Sequence, residues 1–202
     1  MRNTVFDRRI YNSSTFAETM SDIFVHLKEL RSAVHHARID GKFAEKIMLV
    51  VSRVNGCRYC IYGHSRVALA SGVSEDELQI LLSGELGSFP KEDAVALTFA
   101  QHYAESHEHP DPVAWQRLVD CYGLQIAQDI LAYLRMITMG NLLGNTFDAL
   151  LSRIIGKPAP GSSLWSEVSV LFKALVVFPI GMLVHSAVDS WRRDSSSGTL
   201  SA

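Results

Sequence analysis

Apolar residues in this chain recur at intervals of three and four, the period of a helix. No stretch alternates in twos as a half-buried strand would, and no hairpin turn separates β-branched runs. From Thr15 to Arg38, the residues Phe24, Leu27, Leu30 and Val34 fall on one side. Asp40 and Gly41 interrupt the pattern, and Phe43, Ile47, Val50, Val51 and Val54 resume it. Asn55 and Gly56 close that helix and open the next, Cys57 to Ala70, with Asn55 or Gly56 as its N-cap. Ser71 and Gly72 stop it. Ser74, with acids at Glu75, Asp76 and Glu77, forms a capping box for a short helix to Leu82. Pro90 opens another, which carries Val95, Leu97, Phe99, Ala100 and Tyr103. Pro112 stands at the first turn of a helix to about Tyr122, where proline is tolerated. Gly123 separates it from a long apolar helix, Gln125 to Ile155. The fold class expected is an all-α multi-helix bundle.

The domain organisation follows from the breaks. Residues 1–156 form the expected helical domain, 157–163 a Pro- and Gly-rich linker, 164–191 an additional apolar helix, and 192–202 a polar, frayed tail. The stretch Val168 to Val188 approaches the roughly 20 apolar residues a membrane span needs. Lys173 and Pro179 interrupt it, and Lys at a membrane centre costs about 2.5–3.5 kcal/mol. Burial in a subunit interface and contact with a membrane through 168–188 both fit this pattern.

Composition adds exclusions. Of 202 residues, 48% are hydrophobic and 20% charged, the balance of an ordinary globular protein. The net charge is −2, which leaves no basic footprint for nucleic acid. There is no apolar leader ending in a small-residue cleavage site, so a reducing cytoplasm is the expected compartment. Three cysteines, Cys57, Cys60 and Cys121, do not make a disulfide framework. A close C-x-x-C in a reducing compartment reads instead as catalytic or metal-binding.

The chemistry therefore concentrates at Cys57, Cys60 and His64. At about 100° per residue they share one face of a helix. Two cysteines three apart on a helix stand about 5 Å apart at Cα, within disulfide range. His64, four residues past Cys60, reaches that sulfur. A free thiol with a pKa of about 8.5 supplies little thiolate at neutral pH. The helix start favours an anion on Cys57, and the imidazole can take the proton of Cys60. The first consideration makes Cys57 the nucleophile, the second Cys60. Glu45, twelve residues before Cys57, can fold back toward His64 and orient its ring. Zinc is a poor fit: three ligands on one face leave a tetrahedral site incomplete, and no second C-x-x-C closes it. Cys121 is expected to be a buried small apolar residue. His102, His107 and His109 are expected at the solvated surface, and Arg58 and Arg66 either favour thiolate or lie in solvent.

Glu45, then Cys57-x-x-Cys60-x-x-x-His64, then Gly72-Val-Ser-Glu-Asp-Glu-Leu together resemble the signature of the alkylhydroperoxidase D and carboxymuconolactone decarboxylase superfamily. The resemblance extends over about Phe24 to Leu151 and includes Asn141. It implies an all-α bundle assembled as a homo-oligomer (trimer, dimer or hexamer). It implies a peroxidase with a hydroperoxide substrate, no cofactor and no metal, reduced in turn by a thiol or protein electron donor. Carried over, Cys60 is the peroxide-reacting thiol, Cys57 resolves it, and Glu45 with His64 is the proton relay. Tyr59 stands where the best-known branch has a histidine and offers a hydroxyl near the site in its place. The decarboxylase branch lacks the cysteine pair, which argues against lactone decarboxylation here. A disulfide reductase and a membrane-associated redox sensor are the other functions compatible with the pattern.

Overall fold

The computed structural model describes residues 6–197, and side chains within this range except Phe178 and 182–197. Among the described residues there is no strand, and the chain is an all-α bundle. Its helices are α1 (Ser13–Val25), α2 (Leu27–His36), α3 (Gly41–Asn55), α4 (Arg58–Ala70), α5 (Glu75–Ser83), α6 (Lys91–Glu105), α7 (Pro112–Tyr122), α8 (Leu124–Ile154) and α9 (Leu164–Ser197). A single 3-10 turn, Leu86–Ser88, links α5 to α6.

The central element is α8. One of its faces carries Ala127, Ile130, Leu134 and Ile137 into a core shared with α3, α4, α5 and α6. Another carries Ala132 and Leu142 into a second core, against Phe16, Met20 and Ile23 of α1, Leu27, Leu30 and Ala33 of α2, and Val170 of α9. Two apolar faces on one helix explain why its sequence reads as apolar nearly all round.

Most helix ends follow from local chemistry. Ser74 accepts from the Glu77 N–H while Glu77 returns the bond to the Ser74 N–H, the capping box expected there. Asp40 accepts from the Phe43 N–H to start α3. Pro112 occupies the first turn of α7, capped by Asp111.

The expected single helix from Thr15 to Arg38 is instead two. At His26 the backbone leaves the helical region, with φ −100° and ψ 19°. The His26 ring Nδ1 lies 2.9 Å from the Asp22 carbonyl, and Arg135 of α8 holds the Asp22 carboxylate at 2.9 Å. A tertiary contact thus fixes the break. The buried stripe also differs: Ala33 is buried, while Val34 is largely exposed.

Past Ile155, the segment expected as a linker packs onto the bundle. Ala159 is buried, and Ser162 Oγ donates to Glu167 at 2.7 Å. Arg153, near the end of α8, donates two bonds to the fully buried Glu167 carboxylate of α9 at 2.9 and 2.8 Å. That pair holds the Glu167 carboxyl below its ordinary range, through the Arg153 bonds first. The helix α9 runs beyond Trp191 to Ser197. Of the expected tail, residues 198–202 lie outside the described residues, as does the His185 side chain. The helix is long and apolar enough over Leu164–Gly181 to cross a membrane, by length and composition.

Candidate functional site

The turn between α3 and α4 sets the site. Gly56 takes φ +67° and ends α3, and the Cys57 N–H donates back to the Ser52 carbonyl at 3.1 Å. This consumes Asn55 and Gly56 in the C-terminal cap of α3. The N-cap of α4 is Cys57 itself, in place of the expected Asn55 or Gly56. Its sulfur accepts from the Cys60 N–H at 3.3 Å.

Cys57 and Cys60 are joined as a disulfide, with Cα atoms 5.3 Å apart. Their surroundings differ. Cys57 is fully buried, at 0% exposure, whereas Cys60 is half-buried on the rim of the larger core. A reagent from outside meets Cys60 first. The N-cap position of Cys57 suits an anion, its complete burial opposes one, and exposure favours attack at Cys60.

His64 lies one turn past Cys60 on α4, half-buried. Its Nδ1 donates to Glu45 Oε2 at 2.7 Å. Glu45 is in the first turns of α3 and is nearly buried. Because Nδ1 is committed to the carboxylate, Nε2 is the ring nitrogen left to accept or deliver a proton. Next to Glu45, the buried Lys46 ammonium binds Glu77 at 2.7 Å and Asp93 at 3.1 Å, tying α3 to α5 and α6.

Three residues of α8 that sequence reasoning passed over complete the site. Gly144 is the first: a Cβ there would stand 2.8 Å from Cys57 Sγ and 3.6 Å from Cys60 Sγ. The disulfide therefore rests on α8 only because residue 144 has no side chain. Asp148 is the second, buried and ion-paired with both Arg8 and Arg58. Asn145 is the third, its Nδ2 donating to the Asn55 carbonyl at 2.8 Å. Asn141, noted in the sequence, accepts from Ser52 Oγ at 3.0 Å behind the cysteine turn. Asp148, Asn145 and Asn141 face groups about ninety positions away, a separation no local pattern encodes.

Tyr59 does not point its hydroxyl at the sulfurs as a free proton donor. The hydroxyl donates to Asp148 at 3.0 Å and accepts from Arg58 at 2.9 Å. The Arg58 guanidinium is committed to Asp148 and Tyr59, and Arg66 donates to the Tyr62 hydroxyl at 3.1 Å. Cys121 corrects an expectation. It is exposed, because α7 packs through Trp115, Leu118, Val119 and Tyr122, and position 121 falls off that stripe. His102 Nε2 accepts from the Asp111 N–H at 3.0 Å and holds the loop before α7.

Residues 22–101 match the carboxymuconolactone decarboxylase family, and the Cys57–Cys60 pair supplies a C-x-x-C motif inside that segment. The matched segment contains Glu45, both cysteines and His64, and ends within α6, ahead of the α8 residues just described. No curated protein matches the chain.

Proposed function

We propose, for a chain whose residues 22–101 are a carboxymuconolactone decarboxylase-family segment with a C-x-x-C pair, that it is a dithiol peroxidase acting on organic hydroperoxides. The observation that carries this reading is the pairing of one reachable and one buried sulfur beside a carboxylate-held imidazole.

In the reduced protein His64 Nε2 takes the proton of the Cys60 thiol, with Glu45 holding the ring in place. The thiolate attacks the terminal peroxide oxygen. The O–O bond breaks, the alkoxide receives the proton and leaves as alcohol, and Cys60 becomes a sulfenic acid. The Cys57 sulfur then attacks that of Cys60. The S–S bond forms as the S–O bond breaks, and hydroxide leaves with the Cys57 proton as water. An external dithiol returns the pair to the reduced state, itself becoming a disulfide. Each turn consumes one peroxide and two reducing equivalents.

The test is a single turnover. Reduced protein, freed of reductant, is mixed with tert-butyl hydroperoxide, and the cysteines are mapped by mass spectrometry. One peroxide consumed per chain with a Cys57–Cys60 disulfide is the expected result. Cys60→Ser abolishes consumption, and Cys57→Ser leaves a sulfenic acid on Cys60. Thiols that stay reduced for many minutes would rule out the peroxidase, and protein disulfides would become the substrate to try.

A second reading concerns location. The span Leu164–Gly181 of α9 is mostly exposed although strongly apolar, with Trp165 at 81%. We propose that this face contacts a membrane. Flotation with lipid vesicles checks it; a protein that stays at the bottom of the gradient removes the membrane contact.

A further inference from the structure

Resting on the peroxidase reading, we propose that the substrate is a hydroperoxide with a long alkyl chain, and that the chain lies in an apolar cavity between α1, α8 and α9. The cavity has a volume of about 800 Å³, within the range of small-molecule sites. Phe16 and Met20 wall it from α1, Leu143 and Phe147 from α8, and Ala174 and Leu175 from α9. Among its described lining residues the one polar side chain is Tyr59. Its hydroxyl is held by Asp148 and Arg58, leaving the ring, 6.0 Å from that of Phe147, as apolar wall. Such a lining offers nothing to a polar ligand and fits a hydrocarbon chain.

The cavity reaches a residue that the sulfurs touch. Gly144 belongs to its wall and is also the residue against which Cys57 and Cys60 pack. Tyr59, on the same wall, is the residue before Cys60 in α4. A chain in the cavity thus has Tyr59 and Gly144 as the wall residues nearest in the fold to the cysteine pair, and we place its peroxide group on that side. Leu175 also lines the cavity and is 76% exposed, on the outward apolar surface of α9 that includes Phe172 and Trp165. Through Leu175 the cavity borders an exposed apolar surface, one suited to meet chains leaving an apolar phase. The reaction is unchanged: the chain departs as an alcohol, and an external dithiol restores the cysteines.

The experiment measures the rate constant for disulfide formation in the reduced full chain with ethyl, hexyl and dodecyl hydroperoxides, each below its aggregation limit. Transfer of methylenes to an apolar site predicts a gain of at least about tenfold from ethyl to hexyl and again to dodecyl. In the unmodified protein, 1-dodecanol competes with dodecyl hydroperoxide and spares ethyl hydroperoxide. Ala174→Trp, which fills the cavity from α9, removes the chain-length gain, so that hexyl and dodecyl hydroperoxides react no faster than ethyl hydroperoxide in that variant. Should that variant not fold, the dodecanol competition decides alone. Equal rates along the series, or no competition by dodecanol, overturn the cavity assignment and leave the peroxidase standing. No reaction with any of the three overturns both.

Discussion

The carboxylate of Glu45 and the imidazole of His64, 19 positions apart, meet at 2.7 Å across the turn that joins α3 to α4. The contact leaves only Nε2 of the ring for proton transfer. Glu45→Gln keeps the size of the side chain but removes the charge that orients the ring. Peroxide consumption is expected to slow about 100-fold in His64→Ala, the lower end of general acid–base contributions, and less, about 10-fold, in Glu45→Gln, which keeps the ring. Alkylation of the reduced protein at neutral pH separates the two thiols. His64→Ala should slow reaction at Cys60 more than at Cys57, and equal slowing at both would remove His64 as the activator of Cys60.

Gly144 gives a prediction with an internal control. Ala is the better helix former by about 1 kcal/mol in a helix interior. At Gly140, also in α8, an added Cβ meets nothing within 4 Å. Gly140→Ala should therefore raise the melting temperature by roughly 2–4 °C. Gly144→Ala brings a methyl against Cys57 Sγ, and overpacking of this kind costs about 1–3 kcal/mol. A fall in melting temperature for this variant alone is the expected outcome; a rise in both would show that the sulfur gives way freely.

Asp148 ties the start of the described chain to the site, since Arg8, Arg58 and the Tyr59 hydroxyl converge on its buried carboxylate. Asp148→Asn leaves two guanidinium groups without their anion and should cost about 2 kcal/mol or more in denaturant unfolding. Tyr59→Phe loses one hydrogen bond, about 1 kcal/mol, and keeps the ring on the cavity wall. A Tyr59→Phe enzyme with peroxide consumption reduced 100-fold would give the hydroxyl a chemical role that its bonding here argues against.

Glu77 predicts a pH dependence. The Lys46 ammonium first, and the Ser74 N–H second, hold its carboxyl down to about 2, against an ordinary 4.5. A folded value below the unfolded one means the stabilisation is fully present above about 4.5 and is lost as pH falls toward about 2. Partial exposure reduces its size to about 1 kcal/mol. Glu77→Gln should lower unfolding free energy at pH 7, and the gap to the parent protein should shrink below about pH 4.5 and close near pH 2. A gap that persists undiminished at pH 2 would assign the effect to packing.

Local chemistry made much of this fold readable in advance. The capping box at Ser74, the proline start of α7 and the C-x-x-C pair each depend on residues within four positions of one another. What escaped is set by distant partners. Arg135 of α8 fixes the break at His26, and the packing stripe of α7 turns Cys121 outward. Asn55 and Gly56 were legible as a boundary, but the cap of α3 claims them and leaves Cys57 to begin α4. Gly144 carries no local signal of its place in the site; its importance lies in a contact with sulfur 87 positions earlier.

That contact also bears on what counts as a transplantable unit. The segment 22–101 holds every ionisable group of the proposed cycle, yet the floor under the two sulfurs comes from residue 144. Grafting the cysteine turn onto another helical pair would carry over the reagents without the surface that seats them. A designer borrowing this chemistry would need to copy a glycine from a third helix as faithfully as the cysteines themselves.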